Sequence, residues 1–179
     1  MPATAIVLTG GRSSRFGSDK TRALIEGRPL LDHVLDSLPA SWPIVAVGPA
    51  RRTSREVVWV REEPMHGGPL AALAVGLALV ETRSFVLLGA DMPHVSDMPL
   101  ILAGRLDDEP DEVDAIAART PDGRLQPLLL AARTEPGRRA LPTDPAGASL
   151  MSWLKNLRYE PHDVSGQQAH DIDTTADLP

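Results

Sequence analysis

The sequence predicts an α/β fold: one domain over residues 1–179, three layers deep, with helices on both faces of a mostly parallel sheet and an antiparallel strand late in it. Three observations lead there. Short runs of Val, Ile and Leu alternate with segments of helical spacing. Aromatic residues make up only 3% of a chain that is 42% hydrophobic, so aliphatic side chains build the core, as in sheets covered by helices. A length of 179 residues supports one sizeable core but is tight for two.

Taken in order, Ala5-Ile6-Val7-Leu8 is the first strand, followed by Ile44-Val45-Ala46-Val47, Val57-Val58-Trp59-Val60, Phe85-Val86-Leu87-Leu88 and Ala115-Ile116-Ala117. Near-continuous apolar runs of this length suit strands covered on both faces. Between them, 29–38 opens with Pro at a first-turn position and gathers Leu30, Leu31, Val34, Leu35 and Leu38 on one face. The stretches 69–80 and 97–106 carry similar stripes, and 149–157 is a further helix. The run Pro127-Leu128-Leu129-Leu130-Ala131-Ala132 follows the turn Thr120-Pro121-Asp122-Gly123 too closely for a crossover helix. A hairpin, hence an antiparallel strand, is the expectation. No repeat or linker divides the chain.

Composition narrows the function. The net charge of −6, without a basic stripe, argues against nucleic acid as partner, because phosphate neutralisation supplies that affinity. With no cysteine, thiolate catalysis, disulfides and cysteine-ligated metals are excluded. Neither a signal peptide nor a span long enough for a bilayer is visible, so the expectation is a cytoplasmic protein without a membrane partner.

The first strand runs into Thr9-Gly10-Gly11-Arg12-Ser13-Ser14-Arg15-Phe16-Gly17-Ser18-Asp19-Lys20. In parallel sheets ligands sit at the carboxyl ends of strands. Paired glycines let backbone N–H groups approach phosphate oxygens, and Arg12, Arg15 and Lys20 bring positive charge to the same place. This is not a P-loop, since Gly17 is followed by Ser18-Asp19. Nor is it a dinucleotide fingerprint, since Gly10 and Gly11 are adjacent.

The segment from Leu8 to Lys20 resembles the signature loop of the molybdenum cofactor guanylyltransferases, within the wider NTP-transferase superfamily. The resemblance continues through Gly27-Arg28-Pro29-Leu30-Leu31-Asp32-His33-Val34, Gly68-Pro69-Leu70-Ala71-Ala72-Leu73, Gly89-Ala90-Asp91-Met92-Pro93 and Asp171-Ile172-Asp173-Thr174-Thr175-Ala176-Asp177-Leu178. These matches are colinear and reach both ends of the chain. They imply a Rossmann-like nucleotidyltransferase fold that transfers GMP from GTP to the phosphate of molybdopterin or molybdenum cofactor, releasing pyrophosphate. Cofactor delivery or acceptor proteins are implied as partners. The adjacent Gly10 and Gly11 resemble the guanylyltransferases more than the related cytidylyltransferases, which more often carry Ala-Gly there. A relative using CTP or another phosphorylated acceptor, and a non-catalytic nucleotide-binding protein of the same fold, are the alternatives.

Residue by residue, the resemblance assigns Leu8, Thr9, Gly10, Gly11, Lys20, Gly68, Pro69 and Asp91 to nucleotide binding. An acidic position at Glu62 or Glu63 joins them, its carboxylate an acceptor for the guanine N1–H and N2–H₂ edge. Lys20 and Arg15 are the expected electrostatic catalysts, and Asp91 the carboxylate for Mg²⁺, with Mn²⁺ as the substitute. Asp173 is the second metal candidate; Asp-x-Asp-Thr-Thr also reads as helix capping. No general base is needed, because a phosphate monoester acceptor is already anionic at neutral pH. The chain departs from the family pattern at Val47-Gly48-Pro49, where Asn is usual, at Ala72, at Ala90 and at Asp171 and Asp173.

Overall fold

The structure is a computed structural model that describes residues 2–10, 24–25, 27–62, 65 and 67–168. Nine strands and five helices follow in the described residues: β1 (Thr4–Leu8), β2 (Leu24–Ile25), β3 (Arg28–Pro29), α1 (Leu30–Asp36), β4 (Ile44–Val47), β5 (Val58–Val60), α2 (Pro69–Ala78), β6 (Ser84–Gly89), α3 (Met98–Asp108), β7 (Ala115–Arg119), β8 (Leu125–Arg133), α4 (Thr134–Arg139), α5 (Leu150–Leu154) and β9 (Tyr159–Asp163). Seven strands form one sheet in the order β5-β4-β1-β6-β8-β7-β9, while β2 and β3 pair as a small ribbon.

The predicted mostly parallel sheet is present. Strands β5, β4, β1 and β6 run parallel, β8 is antiparallel to both neighbours, and β7 and β9 run with the first four. The hairpin expected at 120–123 joins β7 to β8, closed by Gly123 N–H donating to the Thr120 carbonyl at 2.8 Å. Consequently β8 lies inside the sheet, between β6 and β7, rather than at an edge.

Alternation along each strand builds the three layers. Ala5, Val7, Val86, Leu88, Ile116, Leu129 and Ala131 meet α1 and α3 on one face. Ile6, Leu8, Phe85, Leu87, Ala117, Leu130 and Ala132 meet α2 and α5 on the other. Helix α2 packs unusually close. A Cβ at Gly76 would sit 2.9 Å from Ile6 Cγ2 and 3.0 Å from Val47 Cγ2, so the missing side chain lets the helix lie directly on β1 and β4. That contact sets where the N-terminus of α2 overhangs the sheet.

Helix bounds differ from the sequence reading by a few residues. Pro29 belongs to β3 rather than to the first helix, and α5 stops at Leu154, three residues short of its predicted end. Not foreseen were α4 and β9. The latter reads Tyr159-Glu160-Pro161-His162-Asp163, a polar edge strand whose proline and charges suit an unpaired margin.

At the pole where the helices end, arginines from other elements cap them. Arg55 donates to the carbonyls of Leu35, Leu38, Pro39 and Ala40 after α1. Arg138 does so for Leu77 and Val80 after α2, and Arg133 for Leu106, Glu109 and Pro110 after α3. Cations there complement the negative end of each helix dipole and satisfy carbonyls that lack an intrahelical partner.

Candidate active site

Strand order places a crevice. From β1 the chain passes to β4 on one side, and later returns to β6 on the other, so the carboxyl ends of β1 and β6 flank a topological switch point. Leu8 pairs with Gly89 in the parallel register, and Ala90 N–H donates to the Leu8 carbonyl at 3.0 Å. The root of the glycine loop and the segment carrying Asp91 are therefore adjacent. In the sequence Leu8 and Gly89 are 81 positions apart.

Thr9 fixes the start of the loop. It is buried, and both its N–H and its hydroxyl donate to the Val47 carbonyl at 3.0 Å. Gly10, next to it, is exposed. Gly48 supports this arrangement in a way its sequence context did not signal. Its φ is +147°, and a Cβ there would fall 2.3 Å from the Thr9 hydroxyl and 3.2 Å from the Gly10 nitrogen. The departure from Asn in this region thus has a steric account, because only glycine leaves room for Thr9.

Gly68 precedes α2 with φ +93°, and Pro69 takes the first helical position. The helix leads down into β6, so its N-terminus lies at the same end of the sheet as Leu8 and Asp91. Gly147 N–H donates to the Gly67 carbonyl at 2.8 Å, tying the loop before α5 to this turn. Glu62, half-buried, follows the end of β5. In the next connection along this end, Arg51 stacks its guanidinium 5.7 Å from the Trp59 ring centroid, a contact the sequence reading missed.

Asp91 is half-buried between two buried neighbours, Ala90 and Met92. Its carboxylate folds back over Gly89: a Cβ on that glycine would lie 2.6 Å from Asp91 Oδ1. As a hard oxygen donor beside the root of the glycine loop, Asp91 fits a Mg²⁺ ion, which typically takes one or two protein carboxylates and completes its shell with waters and substrate phosphates. Among the described residues no group of three or more His, Cys, Asp or Glu gathers into a self-sufficient metal cage. Gly11, Arg15, Lys20, Glu63 and Asp173 lie outside the described residues, so their placement is not part of this geometry.

Two rims of this end carry tight ion pairs. Arg119 and Asp163 pair at 2.6 Å where β7 and β9 end, and the guanidinium holds the Asp163 carboxyl below its usual range. In the hairpin turn the Thr120 hydroxyl and the Arg124 guanidinium bind Asp122, lowering it to about 2. Arg124 thus has its charge engaged by Asp122 at 2.6 Å.

Fold and crevice together define an open α/β sheet protein with a crevice at the β1/β6 switch point. Residues 5–162 match the MobA-like NTP transferase domain, and the chain belongs to that family. A probable molybdenum cofactor guanylyltransferase of Trichormus variabilis is 34% identical over 164 residues, covering 86% of this chain and 77% of that protein. A protein of the same description from Deinococcus radiodurans is 38% identical over 98 residues, which cover 54% of this chain and 50% of the relative. The match thus spans about half the length of that relative. Among solved structures, molybdopterin-guanine dinucleotide biosynthesis protein A from Archaeoglobus fulgidus superimposes with a TM-score of 0.75 at 20% identity, over 98% of this chain and 94% of that one. At that identity the likeness speaks for the fold.

Proposed function

We propose that this protein transfers GMP from GTP to the phosphate of a molybdopterin-type cofactor, in one nucleotidyltransferase domain. The observation that supports this most is the adjacency of Leu8 and Gly89, which brings the root of the glycine loop beside Asp91 in a member of this family. The names of its relatives favour guanine as base and the molybdenum cofactor as acceptor.

In this reading Gly10 and Gly11 offer backbone N–H groups to the phosphates, Thr9 anchors the root of their loop on Val47, and Gly68 and Pro69 shape the opposite wall. Glu62 or Glu63 accepts from the guanine edge. Asp91, with Asp173, would hold Mg²⁺ or Mn²⁺, which would supply charge neutralisation on the phosphates. An anionic oxygen of the acceptor phosphate attacks the α-phosphorus; a new P–O bond forms as the bond to pyrophosphate breaks. No proton has to be removed for that step. Lys20 and Arg15 neutralise charge building on the departing pyrophosphate.

Pyrophosphate release measured with each of the four NTPs, with and without molybdopterin, tests the reading. Release with GTP alone among the nucleotides, and only when acceptor is present, is expected. Turnover with CTP in place of GTP would overturn the base assignment, and turnover without pterin would overturn the acceptor.

A further inference from the structure

We infer that Gly89 is a positioning residue for the Asp91 carboxylate, and that Gly89, Met92 and Leu128 form a seat that holds this carboxylate in its metal-binding orientation. The inference rests on the functional reading above, in which Asp91 is a cation ligand.

The geometry is local and specific. Gly89 ends β6, and its φ does not demand glycine, since it is absent from the glycines with positive φ. The demand is steric. A Cβ at this position would stand 2.6 Å from Asp91 Oδ1, well inside contact, yet 3.4 Å from Leu128 Cδ1 and 3.5 Å from Met92 Cγ, where it would fit. Only the carboxylate would have to move. The space a side chain would take is occupied by the Asp91 oxygen itself.

The neighbours limit where that oxygen goes. Met92 is fully buried. Leu128 reaches the site through the β6–β8 ladder, while on its other side β8 leaves the β7 ladder: Ala117 of β7 pairs with Leu130, but Ala118 pairs with Gln126, so residues 127–129 bulge there. Leu129 meanwhile keeps its pairing with Leu88 of β6. That register sets Leu128 alongside Gly89, and the Gln126 side chain closes the bulge by accepting from Leu128 N–H at 3.3 Å. Leu128, Met92 and the bare α-carbon of Gly89 thus border the space that the Asp91 Oδ1 occupies.

A methyl group at Gly89 should displace the carboxylate while leaving the strand intact. Partners that orient a metal ligand typically change metal affinity by about 10- to 100-fold. The test is Mn²⁺ binding followed by electron paramagnetic resonance with GTP present, on the full chain and on Gly89→Ala, Asp91→Ala and the double variant, with Tm recorded for each. Gly89→Ala should weaken Mn²⁺ by about 10-fold or more with little loss of Tm, and should add nothing to Asp91→Ala. Unchanged Mn²⁺ affinity in Gly89→Ala, or an equal loss in the Asp91→Ala background, would overturn the proposal. If wild type and Asp91→Ala bound Mn²⁺ equally, the metal assignment of Asp91 would fall, and this inference with it. A wild type that bound Mn²⁺ through Asp91 but released no pyrophosphate would overturn only the reaction.

Discussion

Just ahead of β7, the Asp114 side chain is only 9% exposed, and Arg158, just ahead of β9, donates to it from its backbone N–H, Nε and Nη2 at 2.9–3.0 Å. These bonds fasten the start of the edge strand β9 to β7. They stabilise the ionised carboxylate more than burial penalises it, so its pKa lies below the usual value. The stability this contributes is fully present above the ordinary carboxylate range, near pH 4, and is lost as pH falls through the lowered folded value. Asp114→Asn should therefore unfold at lower urea at pH 7, by about 1–2 kcal/mol, the exposed Arg158 limiting the loss. Its stability should also fall less steeply than wild type between pH 4 and the acid limit. Parallel acid profiles for the two proteins, followed by urea midpoints, would contradict this assignment. Single residues of this kind were not legible in the sequence. Asp114 and Arg158 are 44 positions apart and become partners only because β9 pairs with β7. Gly48 and Gly89 were hidden for the same reason, since their need for glycine comes from atoms of other side chains.

Elements are held from below by the arginine caps. Arg133 is the most buried of these, with a side chain 9% exposed, and it donates to four carbonyls, those of Val113, Leu106, Glu109 and Pro110. Replacing it with Met keeps the volume of the stem but leaves these acceptors without their donor. Arg133→Met should cost about 1–3 kcal/mol, with the loss of hydrogen-exchange protection concentrated at the end of α3. A variant as stable as wild type, with α3 unaltered, would show that water satisfies those carbonyls equally well. Most elements were readable because their signal is their own. Apolar runs fixed β1, β4, β6 and β8, and an apolar stripe at helical spacing marked α2. The ribbon β2–β3, the short α4 and β9 carry no such periodicity. Each exists because of what it packs on or pairs with: β9 by its ladder to β7, and α4 under α2 and β8.

At the scale of the molecule, the two ends of the sheet do different work. One end is closed by arginines on helix C-termini; the other gathers loops, glycines and Asp91 at the switch point. Motifs scattered over the chain, at Leu8–Gly10, Gly68-Pro69 and Asp91, were individually legible, since phosphate handling needs glycine and charge in recognisable patterns. Their convergence was not, because it depends on the strand order. The most direct measurement supplies GTP labelled at the α-phosphate together with molybdopterin and Mg²⁺, and follows the label. The account predicts that label moves into the pterin product one-for-one with pyrophosphate, and that Asp91→Asn slows this by about 100-fold or more. Label that stays in GTP, or a transfer indifferent to Asp91, would contradict it.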